Sequence, residues 1–127
     1  FISSECAYLV PDDMIPYSVT KDSIHALSKG LANLTKGSGV TVNTIVPGST
    51  LSEGAENFLT SLSEKDNIPV EEVKKRFFEN IRTSSLINRF ANMNEVANTI
   101  AYLSSPLSSA TNGSVIKVEG GSTSGLI

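Results

Sequence analysis

Tyr17-Ser-Val-Thr-Lys21 sets a phenol and an ammonium four residues apart. Residues at that spacing share one face of a helix. An ammonium beside a phenol favours the phenolate, so such a pair can pass a proton to or from a carbonyl or alcohol oxygen near neutral pH. Taken alone, the pair also reads as a solvated helix face carrying a half-buried Tyr. The surroundings decide between the two. Ser4 stands thirteen positions before Tyr17. Beyond the pair come a strand-like run, Val40-Thr-Val-Asn-Thr-Ile-Val46, then Pro47-Gly48-Ser49-Thr50, and near the end Val118-Glu-Gly-Gly121.

Phe1-Ile2-Ser3-Ser4 reads as the end of a buried strand, and Glu5 to Pro16 as a connecting loop with turn chemistry at Pro11-Asp12-Asp13. A helix is expected from about Tyr17 to Lys36, with Ile24, Leu27, Leu31 and Leu34 as its apolar stripe. Gly37-Ser38-Gly39 stops it, and Lys36 suits its C-terminal dipole end. Val40 to Val46 has the β-branched content of a buried parallel strand, ended by Pro47-Gly48. Leu51 to Ser63 reads as a short helix. Pro69 to Arg82 reads as a clearer one, with Glu71 and Glu72 at its N-terminal end and Val70, Val73, Phe77 and Ile81 on one face. Asn92-x-x-Glu95 has the spacing of a capping box and opens a helix to about Ser104, with Val96, Ile100 and Leu103 inward. Val115 to Val118 reads as a last strand. Helices alternating with short apolar strands predict an α/β layered sheet. There are no internal repeats and no interdomain linker.

In their order and spacing, Ser4, Tyr17 with Lys21, the strand before Pro47-Gly48-Ser49-Thr50, and Glu119-Gly120-Gly121 resemble the short-chain dehydrogenase/reductase family. The resemblance covers nearly the whole chain. It implies the C-terminal half of a Rossmann-like doubly wound parallel sheet, a three-layer α/β/α fold. Residues 1–127 would be the catalytic and substrate-binding half of one NAD(P)-binding domain. The glycine-rich dinucleotide half would lie before Phe1, whether the sequence is truncated or the gene has lost its front. Gly120, Gly121 and Gly125 follow a strand but open no helix, so they are not that dinucleotide loop.

The resemblance also implies roles. Tyr17 matches the catalytic acid/base. Lys21 matches the residue that holds the Tyr ready and hydrogen-bonds the nicotinamide ribose. Ser4, rather than its neighbour Ser3, matches the residue that hydrogen-bonds the substrate oxygen, on the thirteen-residue spacing. Pro47, Gly48, Thr50 and Ser52 match the segment that meets the nicotinamide. Residues 52–89 match the substrate-binding region, where Leu51, Phe58, Leu59, Phe77 and Phe78 would close over an apolar substrate or serve as core. His25 and Cys6 are expected to pack, Asp12 and Asp13 to be solvated, and Glu119 to serve a turn.

The implied activity is hydride exchange between NAD or NADP and a small alcohol or carbonyl, in a homo-oligomer (dimer or tetramer) of the complete protein. Two other readings stay open: an epimerase or dehydratase of the extended branch, and a non-catalytic remnant. The net charge of −3, without a basic run, gives no support to a nucleic-acid or anionic-membrane partner. No apolar run approaches a membrane span. One Cys excludes an internal disulfide and makes a reduced, cytoplasmic compartment the default. One His and one Cys give no basis for a metal site.

Overall fold

A computed structural model describes residues 1–125. In chain order the elements are α1 (Cys6–Leu9), a 3-10 turn (Asp12–Met14), α2 (Ile15–Leu34), β1 (Thr44–Pro47), β2 (Thr50–Leu51), α3 (Glu53–Asp66), α4 (Val70–Asn80), β3 (Ala91–Asn92), α5 (Met93–Leu103), a second 3-10 turn (Pro106–Ser108) and β4 (Val115–Val118).

β1 is the centre of the sheet. It pairs in parallel with β4, from Thr44 opposite Val115 to Pro47 opposite Val118. On its other side runs the N-terminal segment, also parallel, bridged at Ile2–Ile45. Ser3 N–H donates to the Ile45 carbonyl at 2.8 Å and Glu5 N–H to the Pro47 carbonyl at 2.9 Å. Thr44, Ile45 and Val46 are all buried, as befits a strand covered on both faces. Parallel neighbours need a long crossover, and residues 48–114 supply it. Within that crossover β2 and β3 form a second parallel pair.

Three expectations change. The segment after Glu5 is not plain loop: it holds α1 and the 3-10 turn, and α2 starts at Ile15, with Pro16 inside its first turn, where a missing N–H costs nothing. The strand is shorter than Val40–Val46. Val42 N–H is taken by the Asn112 side chain and Asn43 Nδ2 donates to the Thr111 carbonyl, so side chains replace ladder partners there. The packed face of α2 is made of small residues, Ser18, Ser28 and Ala32, while Leu27, Leu31 and Leu34 face solvent. Close helix–strand approach favours small side chains, and the leucine stripe is left on the outer face of α2 within this chain.

The capping box forms as read. Asn92 Oδ1 accepts from Asn94 N–H, and Glu95 Oε2 accepts from Asn92 N–H at 2.7 Å. Of the face expected on α4, Val73 is buried but Ile81 is exposed. Phe78 goes inward instead, packed with Phe77 and Phe90 at ring separations of 4.9 to 5.1 Å.

Candidate active site

The phenol and the ammonium meet on the first turns of α2. Lys21 Nζ lies 5.6 Å from the centroid of the Tyr17 ring. It also donates to the Ile2 carbonyl at 3.2 Å, which ties the helix to the N-terminal strand segment. Tyr17 is 42% exposed. All this lies toward the carboxyl ends of parallel strands, where open α/β sheets take their ligands.

The two adjacent serines are in different situations. Ser3 is 4% exposed and its hydroxyl donates to the Lys21 carbonyl at 2.8 Å, a structural tie between strand and helix. Ser4 is half-buried; its Oγ accepts from Cys6 N–H at 3.2 Å, leaving its own O–H to donate elsewhere.

Pro47 closes β1, and its carbonyl is held by Glu5 N–H. At Gly48 the chain comes so close to β4 that a Cβ would stand 2.6 Å from Glu119 Cα. No other residue fits there without a backbone shift. Thr50 turns its hydroxyl back on the Gly48 carbonyl at 2.9 Å. Ser52 is the N-cap of α3, its Oγ accepting from Ala55 N–H at 3.3 Å. Its lone pair is engaged and its proton remains free to donate.

Glu119 serves the turn after β4, accepting from Thr123 N–H at 2.9 Å. Gly120 and Gly121 adopt φ of +65° and +75°, and Leu86 and Ile87 pack directly where a Cβ would point. Both residues also donate backbone N–H bonds to the Gly120 carbonyl. The double glycine therefore docks the end of the 52–89 segment. Of the apolar residues in that region, Leu59 and Phe78 are core and Phe58 is exposed. His25 stacks at 5.4 Å on Tyr8 and pairs with Asp22 at 3.5 Å. Burial, with Asp22 second, raises the Tyr8 phenol above its ordinary value. Cys6 is buried, while Asp12 and Asp13 are exposed.

Sequence reasoning missed Glu5 and Arg82. Glu5, beside Ser4, is 3% exposed, and its Oε1 accepts from Arg82 Nε at 2.9 Å and from Ser49 Oγ at 3.0 Å. Seventy-seven residues separate the pair, so no local spacing could reveal it. A carboxylate directly behind a strand end was the only cue.

No described helix is long and apolar enough to cross a membrane. Among the described residues no group of three or more His, Cys, Asp or Glu is placed to hold a metal ion.

A family model described as Enoyl-(Acyl carrier protein) reductase matches residues 1–123. The uncharacterized oxidoreductase YvaG of Bacillus subtilis (strain 168) is 45% identical over 121 residues, 95% of this chain and 46% of that protein. A 2,3-dihydroxy-2,3-dihydro-p-cumate dehydrogenase of Pseudomonas putida is 34% identical over 111 residues, 87% of this chain and 38% of that protein. The crystal structure of L-sorbose reductase from Gluconobacter frateurii, complexed with NADPH and L-sorbose, superposes with a TM-score of 0.89 at 26% identity, covering 98% of this chain and 46% of that one. The chain thus spans less than half the length of each of these relatives. With its parallel strands and layered helices it has a partial Rossmann-like α/β fold, and it belongs to the short-chain dehydrogenase/reductase family.

Proposed function

We propose that the complete protein carrying this chain is an NAD- or NADP-dependent oxidoreductase that interconverts a small alcohol and its carbonyl compound. The observation that carries this reading is the Lys21 ammonium at 5.6 Å from the Tyr17 ring, tied to the strand segment that ends in Ser4. Relatives named as oxidoreductase, dehydrogenase and reductase support it, as does a structural neighbour solved with NADPH.

The donor set suits the nicotinamide-ribose end of a dinucleotide. Lys21 spends one N–H on Ile2, and its ammonium has two more for ribose hydroxyls. The pyrophosphate is another matter. α3 and α4 carry Glu53, Glu56, Glu71 and Glu72 in their first turns, α5 carries Glu95, and Asp12 and Asp13 precede α2. Acidic first turns repel phosphate where a helix N-terminus would otherwise attract it. The pyrophosphate is therefore assigned to residues outside this chain, in a dinucleotide-binding half for which residues 1–127 are the catalytic complement.

The cofactor, when bound, supplies or accepts the hydride. In the reductive direction negative charge grows on the carbonyl oxygen. Tyr17 Oη gives that oxygen its proton, and Ser4 Oγ–H donates a second hydrogen bond that fixes its position. Lys21, with its ammonium 5.6 Å from the Tyr17 ring centroid, keeps the phenol in place. In alcohol oxidation the same groups act in reverse, Tyr17 receiving the proton. The complete protein is read as a homo-oligomer, for which the solvent-facing Val19, Leu27 and Leu34 of α2 offer an apolar surface.

Tyr17→Phe in the complete protein tests this reading. The ring stays and only the transferable proton goes. Turnover is expected to fall by at least about a hundredfold, with NADH or NADPH still bound. Activity within a few-fold of wild type rejects Tyr17 as the acid/base.

A further inference from the structure

Glu5 is the one buried carboxylate among the described residues, and the chemistry just described does not use it. Its side chain is where three segments converge. Ser4 precedes it in the chain. Ser49, from the Pro47–Thr50 turn, donates to its Oε1 at 3.0 Å. Arg82, just past the end of α4, donates Nε to the same oxygen at 2.9 Å. The other carboxylate oxygen, Oε2, is buried and accepts no hydrogen bond among the described residues. Arg82 is itself mostly buried, with its guanidinium 5.8 Å from the Phe77 ring centroid and Nη2 3.8 Å from Cys6 Sγ.

Stability does not account for this arrangement. Removing two charges from water costs about what their attraction returns, and an apolar pair of the same volume would hold the segments equally well. What an apolar pair lacks is direction. A guanidinium N–H aimed at a carboxylate oxygen fixes both distance and angle. Here the fixed object is the residue next to Ser4, and the fixing group comes from the stretch just after α4.

We propose that Glu5 and Arg82 are a positioning pair that ties the residue next to Ser4 to the stretch following α4, and so fixes the placement of the Ser4 hydroxyl. The proposal rests on the reading of Ser4 as the hydroxyl that binds the substrate oxygen.

The test uses the complete protein with Glu5→Gln, which keeps an acceptor for Ser49 but loses the charge. Arg82→Lys, which keeps the charge but loses the fork, is the second variant. A small displacement of a reacting group costs on the order of a hundredfold. Each variant is therefore expected to lose about ten- to a hundredfold in kcat/KM, with a raised substrate KM and a cofactor Kd within about twofold of wild type. The deuterium isotope effect with 4-deuterated NAD(P)H should rise, because hydride transfer becomes the slow step. The combined variant should be no worse than the poorer single one. Wild-type kcat/KM, or a lowered Tm with an unchanged isotope effect, overturns the proposal. Failure of both single variants to fold does so too, since the pair is then a stability element. Tyr17→Phe is assayed in parallel. An active Tyr17→Phe overturns the catalytic reading itself, whereas an inactive Tyr17→Phe beside a wild-type-like Glu5→Gln overturns the positioning pair alone.

Discussion

The ammonium of Lys21 stands 5.6 Å from the centre of the Tyr17 ring while donating to the Ile2 carbonyl at 3.2 Å. One side chain thus spans the helix that carries the phenol and the strand segment that leads to Ser4. Lys21→Ala removes a charge, the proposed ribose donor and this tie at once. In the complete protein it is expected to lower kcat by at least about a hundredfold. It should also weaken NAD(P)H binding in a fluorescence titration. Unchanged cofactor affinity with full turnover would separate Lys21 from the site.

Gly48 makes a sharper structural prediction. A methyl group there would lie 2.6 Å from Glu119 Cα and 2.9 Å from the Glu119 carbonyl oxygen, and backbone cannot rotate away as a side chain can. Gly48→Ala is expected to cost about 1–3 kcal/mol, the usual penalty of forced overpacking, read as a lower Tm. It should also lower kcat/KM, because the shifted turn carries Ser49 and Thr50. A wild-type Tm would show that β1 and β4 part easily at this point.

The Arg89–Glu95 pair responds to pH. Two guanidinium nitrogens donate to the Glu95 carboxylate at 2.8 and 2.9 Å, and the Asn92 N–H adds a third bond. The Arg89 hydrogen bond, then the Asn92 bond, holds the carboxyl down at about 2. The folded state therefore favours the ionised form more than the unfolded state does. The stabilisation is present above the ordinary carboxylate range and fades as pH falls toward about 2. The group is exposed and screened, so the effect is small. Urea midpoints for wild type and Glu95→Gln should differ near neutral pH and converge in acid. A gap that stays constant with pH would mean that Glu95 acts without its charge.

Where sequence and structure agree, the signals were local. Asn92 and Glu95 sit three apart, and the capping box they predict is present. Val115–Val118 is a strand at the bounds its β-branched run suggested. Tyr17 and Lys21 sit four apart, and the helix brings them together. Where they disagree, tertiary partners decided. Val40 and Thr41 have strand-like composition, yet Asn112 and Asn43 side chains hold the backbone around Val42 outside the ladder. Leu27, Leu31 and Leu34 form a true helical stripe, but the neighbouring strands accept the small face of Ser28 and Ala32 instead. Glu5 and Arg82 were invisible because the folded topology alone brings them together.

Residues 1–127 purified alone are expected to show no micromolar binding of NADH or NADPH. Their helix N-termini lack a phosphate-binding turn, and Phe1 and Ile2 lie exposed at the sheet edge. Adding back the proposed dinucleotide-binding half should restore binding. A monomer of this chain that binds either cofactor tightly would place the pyrophosphate site within it.

In the proposed reaction this chain delivers the proton and the cofactor delivers the hydride. Deuterium tracing separates the two. The complete protein is given 4-deuterated NADH or NADPH and a small ketone or aldehyde, and the alcohol product is read by mass spectrometry. With wild type one deuterium is expected on the carbinol carbon, and with Tyr17→Phe the same transfer is expected at least about a hundredfold more slowly although the cofactor still binds. Deuterium transfer by Tyr17→Phe at the wild-type rate would contradict this.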